Sequence, residues 1–202
     1  MIKKLFSHLK TPFLLTLVFG LICGFIYPVV VTAVGQVIFP HQARGSQITY
    51  QGKVVGSALI GQDFSSDRFL HGRPSAIHYN TYNAKLKTVK VASGSQNLAP
   101  SNPALKNRVQ HDLNAFLSQN KTIHKEALPA DLVTSSGSGL DPEISPQSAS
   151  LQIPRLARTT GLSTATLKGI IAQHTKGKLL GFIGEERVNV LAVNLELEAR
   201  AK

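Results

Sequence analysis

From Thr11 to Ala43 the chain carries no Asp, Glu, Lys or Arg. No other feature limits its fold as strongly. A hydrocarbon core about 30 Å thick is crossed by about 20 apolar residues in a helix, and Pro12–Phe39 is long enough to cross with some tilt. A helix buried in a soluble core carries a polar stripe; this run shows none before Gln36. A cleaved signal peptide is the competing reading, since Lys3, Lys4 and Lys10 supply a basic start and Val31-Thr32-Ala33 resembles a cleavage site. The apolar run is too long for a signal, and it continues to Phe39. Lipidation at Cys23 fits worse, because Ile22 stands where a lipoprotein signal has a small residue. The fold class expected is therefore α+β: one N-terminal transmembrane helix followed by one mixed α/β extracytoplasmic domain. The divisions are residues 1–10 in the cytoplasm, 11–40 in the membrane and 41–202 outside.

The orientation comes from charge. Three lysines and no acid precede the span, and such clusters stay in the cytoplasm. This orients the chain as a single-pass protein with its N-terminus inside and its bulk on the non-cytoplasmic side. Cys23 is the only cysteine and lies in the span, so no intrachain disulfide or cysteine zinc site is available. The outer domain must rely on its own core or on a partner. Net charge is +11, and +8 when the three N-terminal lysines are set aside. A basic balance invites a nucleic-acid reading, but the basic residues are scattered and the topology opposes it. Anionic lipid headgroups or an acidic partner suit this surface better. The densest cluster, Lys85, Lys87 and Lys90 beside Tyr79 and Tyr82, reads as a solvated face.

Gly20 and Gly24 form a G-x-x-x-G spacing within the span and are candidates for close packing against a partner helix. Pro28 removes a helical hydrogen bond and predicts a kink; Pro40 marks the exit, and residues 41–47 read as a polar linker. Ile48–Tyr50 and Val54–Ile60 read as a hairpin turning at Gly52-Lys53. Residues 65–103 form a long irregular region with a possible strand at Thr88–Ala92. Ser101 or Asn102 caps a helix that Pro103 opens, with Leu105, Val109, Leu113 and Phe116/Leu117 on its apolar face. Leu132–Thr134 and Leu179–Ile183 read as short strands. Asp141-Pro142 and Ser145-Pro146 read as successive helix starts, with a break at Pro154. Ser163 caps a helix through His174, stopped by Gly177, and Asn189 caps a final helix within Val188–Glu198.

Chemistry is hard to find. No serine sits in G-x-S-x-G, and H-E-x-x-H is absent. His71, His78 and His111 lack ligand-like spacing. Asp63 with Asp67, or Asp141 with Glu143, offer paired carboxylates only by adjacency. Ser136-Gly137-Ser138-Gly139 runs into Leu140-Asp141-Pro142, where Asp141 would repel a phosphate. No catalytic residue, metal ligand or tightly bound cofactor is expected. A structural or regulatory subunit is favoured over a membrane-tethered extracytoplasmic hydrolase or a signal-cleaved binding protein.

Six peptides are more specific than their composition. They are Gly56-Ser-Ala-Leu-Ile-Gly-Gln62 running to Phe64, His71-Gly-Arg-Pro-Ser-Ala76, Asn97-Leu-Ala-Pro-Ser-Asn-Pro103, Pro129 to Pro146, Gln152-Ile-Pro-Arg155 and Gly181 to Leu191. In this order, behind a single span, they resemble the C subunit of the Kdp potassium-transporting P-type ATPase of bacteria, over essentially the whole chain. Ser95, Gln96, Ala99 and Glu186 depart from the family's usual residues. The resemblance implies an accessory subunit of a high-affinity, ATP-driven potassium uptake complex. It also implies that the membrane is a bacterial inner membrane and the outer side the periplasm. Its partners would be a channel-like potassium-binding subunit, a P-type ATP-hydrolysing subunit and a very small membrane peptide, within membrane lipid and without nucleic acid. It further implies a role in assembly, and as a catalytic chaperone that raises the ATP affinity of the hydrolysing subunit. ATP is cytoplasmic, so direct binding by an outer domain conflicts with the charge pattern; potassium belongs to the partner, since a basic body does not concentrate cations. Loops 93–103 and 134–146 are the expected contacts, with Gln62, Arg73, Asn97, Ser101, Asn102, Asp141 and Arg155 as the candidate residues.

Overall fold

The charge-free run folds as one apolar helical rod. The computed structural model describes residues 2–81 and 91–201. Helix α1 (Ile2–Leu21) passes through a π turn at Ile22–Ile26 into α2 (Tyr27–Ile38). Leu9–Ile38 has a mean hydropathy of 2.5 and none of it is buried against the rest of the chain. At 1.5 Å per residue its 30 residues extend about 45 Å, ample for a bilayer core. It is the one helix of that length and apolarity among the described residues. Pro28 sits just after the π turn, where the Tyr27 N–H donates to Ile22 O. A local π turn is one of the adjustments by which a membrane helix accommodates a proline. Phe39 leaves helical geometry because the following Pro40 disfavours it. The expected linker after it opens instead as one helical turn, α3 (Pro40–Ala43).

Met1–Gln47 and Ile48–Lys202 are separate compact units. The second begins with the hairpin of β1 (Gln47–Tyr50) and β2 (Lys53–Ser57). Its turn falls at Gln51-Gly52, both at positive φ, one residue earlier than the sequence suggested. Helix α4 (Pro103–Gln119) starts where Asn102 Oδ1 accepts from Ala104 N, and it buries Leu113 and Phe116.

The core belongs to the C-terminal half. Strands β3 (Glu143–Ile144), β4 (Thr175–Lys176) and β5 (Arg187–Asn189) form an antiparallel sheet in the order β3-β5-β4. The central residue Val188 pairs with both Ile144 and Thr175. Against this sheet lie α5 (Pro146–Leu151), α6 (Ile153–Thr160), α7 (Thr164–Gln173) and α8 (Val190–Arg200). Leu70, Leu156, Leu167, Val188, Val193 and Leu197 interlock with essentially no exposure. Ser145, Ser163 and Asn189 each accept a backbone N–H at a helix start, as their sequence context implies.

Three expected elements differ. Leu132–Thr134 is not a strand; a 3-10 turn covers Ala130–Leu132. Asp141-Pro142 opens no helix but leads into β3, with Asp141 Oδ1 accepting from Glu143 N. Leu179–Ile183 is a tight turn closed by a bridge between its ends. Of the expected strand at Thr88–Ala92, residues 88–90 lie outside the described residues, as do Tyr82, Lys85, Lys87 and Lys90; Val91 and Ala92 are in no strand.

Candidate functional site

The two loops singled out in the sequence meet. Gly94 N donates to Ser138 O at 2.7 Å, and Ser93 Oγ donates to the same carbonyl at 3.2 Å. Two further segments brace them. Ser75 Oγ donates to Gly139 O at 2.7 Å, and Gly61 N donates to Leu140 O at 2.7 Å. Arg73 is the hub. Its Nη1 donates to Asp141 Oδ2 at 2.9 Å, while its Nη2 lies near Thr134 Oγ1 and the carbonyls of Thr134 and Ser135 at 3.4–3.5 Å. Tyr79 Oη donates to Arg73 O at 2.6 Å. Burial, aided by the charges of Asp141 and Asp63, pushes the Tyr79 phenol up to about 12, so it remains a donor at neutral pH. Arg73 Nε and Ser136 Oγ are buried without a partner among the described residues.

Two clefts adjoin this lattice. One, of about 190 Å³, lies among Ser95, Asn97, Leu105, Arg108 and Thr134. The other, of about 440 Å³, lies among Asp63, His71, Arg73, Tyr79, His111 and Phe116. His71 Nε2 faces the Ser66 carbonyl at 3.0 Å, and His111 Nδ1 is exposed beside Asp112 at 3.4 Å. Among the described residues no group of three His, Cys, Asp or Glu side chains is placed to hold a metal ion.

The remaining candidates have internal occupations. Gln62 Nε2 donates to Val55 O at 2.7 Å, tying the β-hairpin to the following loop. Asn97 Oδ1 accepts from Ser95 Oγ at 2.6 Å and shapes its own loop at positive φ. Ser101 is exposed in the turn before α4, and Asn102 caps that helix. Arg155 is 1% exposed. It donates to Asn120 Oδ1, Phe69 O, Asp67 O and Gln152 Oε1. Burial lowers its guanidinium to about 10, still charged at neutral pH. Arg155 is thus a strut inside the domain, and any influence on a partner passes through the fold. Gly20 and Gly24 lie on the apolar rod with open space around each. The π turn includes Gly24 and disturbs the one-turn stacking that the spacing suggested.

Several organising residues carry no local sequence signal. Asn194 accepts from Leu70 N at 2.7 Å and donates to Leu70 O at 2.9 Å. Gln152 does the same for His71. Asp131 accepts from Ser145 N, Ser145 Oγ and Ser148 Oγ, fixing the start of α5 to the 3-10 turn at Ala130–Leu132 that precedes the 134–141 loop.

A family profile described as "K+-transporting ATPase, c chain" matches residues 9–199. The chain is 54% identical to the potassium-transporting ATPase KdpC subunit of Clostridium kluyveri, covering 95% of this chain and 93% of that one. Identity to the KdpC subunit of Clostridioides difficile is 46%, over 94% and 95% of the two chains. Identity to that of Rhodopseudomonas palustris is 43%, over 97% and 98%.

Proposed function

The chain belongs to the family of K+-transporting ATPase c chains, and from that premise we propose that it acts as a non-catalytic subunit that assembles the transporter and biases its conformation. The observation that carries this reading is the joining of loops 93–97 and 134–141 under the Arg73–Asp141 pair. The lattice holds two loops in one fixed shape, as a docking surface requires.

The partners in this reading are a channel-like potassium-binding subunit, a P-type ATP-hydrolysing subunit and a very small membrane peptide. The apolar rod packs beside their helices in the bilayer, and residues 41–202 stand on the non-cytoplasmic side, following the lysines before the span. From there the domain braces the outer mouth of the channel-like subunit. Potassium passes through that subunit. ATP is bound by the hydrolysing subunit, on the opposite face of the membrane. The subunit raises its partner's ATP affinity by favouring one state of the pump, since coupled equilibria act reciprocally.

The test is purification in mild detergent through a C-terminal tag from potassium-starved cells. Recovery of a channel-like protein and a P-type ATPase in comparable amounts is expected. Recovery of this chain alone, under conditions that preserve other membrane complexes, overturns the reading. Tight, specific nucleotide binding by the purified subunit would refute the indirect route.

A further inference from the structure

The turn between β4 and β5 is unlike the rest of the domain surface. From Leu179 through Gly184 it holds no side chain able to form a hydrogen bond. Leu179, Leu180, Phe182 and Ile183 are 66%, 76%, 74% and 48% exposed. Among the described residues, the other strongly exposed large apolar residues of the domain are Val54, the adjacent pair Leu59 and Ile60, and Val91, none in a run as long as this one. The turn is rigidly closed. Leu179 and Ile183 exchange backbone hydrogen bonds at 2.8 and 2.9 Å, and Gly181 N donates to Lys178 O at 3.2 Å. Leu180 stands at φ +54, a region that leucine rarely occupies, and Gly181 at φ +82. This geometry holds the apolar side chains on a narrow tip without burying them.

We propose that this tip inserts into the interface of the bilayer that anchors the chain. Three observations select lipid over a protein surface. First, a tether of nine residues, 39–47, joins Ile38 of the span to Ile48 of the domain, which reaches at most about 35 Å. A domain of this length has a radius of gyration of roughly 15 Å, so the tether lets its surface come down onto the bilayer. Second, the side chains of the tip are hydrocarbon alone, whereas protein interfaces mix apolar residues with hydrogen-bonding groups. Third, the flanking charges cancel. Lys178 lies 3.8 Å from Glu185, and Arg187 lies 2.9 Å from Glu143. Insertion is therefore driven by apolar burial and is insensitive to lipid charge and salt, unlike the attraction of a basic patch to anionic headgroups.

The inference rests on the membrane attachment of the subunit, and the experiment separates the two. The chain contains no tryptophan, so Phe182→Trp in the full-length protein introduces a single reporter. The protein is reconstituted into phosphatidylcholine vesicles whose acyl chains carry bromine, a quencher confined to the hydrocarbon. Flotation with the vesicles reports the anchor; the emission of the introduced indole reports the tip. The expected result is a shift to shorter wavelength and strong quenching, equal at low and high salt, and both lost when Leu180→Asp is added. Water-like, unquenched emission from a floating protein overturns the inference and leaves the subunit reading intact. Emission that is water-like in vesicles but shifts only when the whole transporter is purified overturns it in favour of a protein partner. A chain that fails to float overturns the attachment and the insertion together.

Discussion

Arg73 Nη1 meets Asp141 Oδ2 at 2.9 Å, joining segments 68 positions apart. Both side chains are about a quarter exposed, so solvent screens the pair and its Coulomb energy alone is modest. A double-mutant cycle of Arg73→Ala and Asp141→Ala is expected to give a coupling of roughly 1 kcal/mol by chemical denaturation. The functional loss is expected to be larger than this stability loss, because the pair sets the shape of two loops. Recovery of partner proteins with the Arg73→Ala subunit should fall while its thermal midpoint moves little. Full recovery and normal transport would remove Arg73 from the docking surface.

Arg155 behaves in the opposite manner. Its guanidinium is enclosed and bound by neutral oxygens from Asn120, Phe69, Asp67 and Gln152. Arg155→Met strands those acceptors and is expected to cost about 3–5 kcal/mol. Arg155→Lys keeps a charge but loses the planar fork and should recover only part of this. Any fall in transport should track the amount of folded subunit. An Arg155→Lys protein with normal stability but no partner binding would contradict this assignment.

Acid sensitivity has an identifiable source. Burial, reinforced by the charge of Arg155, lowers His71 to about 4 from its ordinary 6.5. The unfolded chain therefore takes up this proton before the folded one does. His71 contributes stability above about pH 6.5 that is lost as pH falls towards 4, by on the order of 2–3 kcal/mol. The Glu196 carboxyl is held below its ordinary value by its hydrogen bond to His174, so its contribution disappears as pH falls through that depressed value. His71→Gln retains a donor for Ser66 O without titrating. Its stability should vary less between pH 6.5 and 4 than that of the parent, measured by urea unfolding across that range.

Local chemistry was the readable part of this fold. Asn102, Ser145, Ser163 and Asn189 announced their helices because a cap needs only the next three residues. Pro154 announced the break between α5 and α6 for the same reason. The misread segments, Leu132–Thr134 and Leu179–Ile183, are short apolar runs, and at that length periodicity does not separate strand from turn. Asp141 looked like a helix cap because proline follows it, yet its carboxylate is engaged by Arg73, a contact invisible to any local window. Asn194 was missed outright, and Gln152 entered only as part of a shared peptide with no role assigned to it. Each holds a backbone segment more than eighty positions away, and nothing near them in the chain indicates it. The resemblance pointed to Arg73, Asp141, Gln62 and Arg155 together, but only the packing separates a hub between loops from struts in the interior.

Asn194 offers a direct test of such hidden organisation. It is 2% exposed, and its amide satisfies both the N–H and the carbonyl of the fully buried Leu70. Asn194→Leu fits the volume but leaves both backbone groups unpaired, at about 1–3 kcal/mol for each. The expected outcome is a large fall in the denaturation midpoint. Protection of the Leu70 amide against hydrogen exchange should also be lost, ahead of amides in α7.

Gly61 marks where the lattice tolerates no added atom. Its N–H donates to Leu140 O at 2.7 Å, which brings its Cα against the backbone leading to Asp141. A Cβ there would stand 2.4 Å from Asp141 O and 2.7 Å from Tyr79 Cε1. The first obstacle is backbone, which cannot swing aside as a flexible side chain would, so Gly61→Ala must push residues 140–141 outward. The cost expected from overpacking is about 1–3 kcal/mol. The displaced strip carries Asp141, so the Arg73 ion pair lengthens and loops 93–97 and 134–141 lose their common brace. Gly61→Ala should therefore reduce partner recovery more than Asn194→Leu does at matched loss of stability. Equal effects of the two variants on assembly would mean that the lattice matters only for folding.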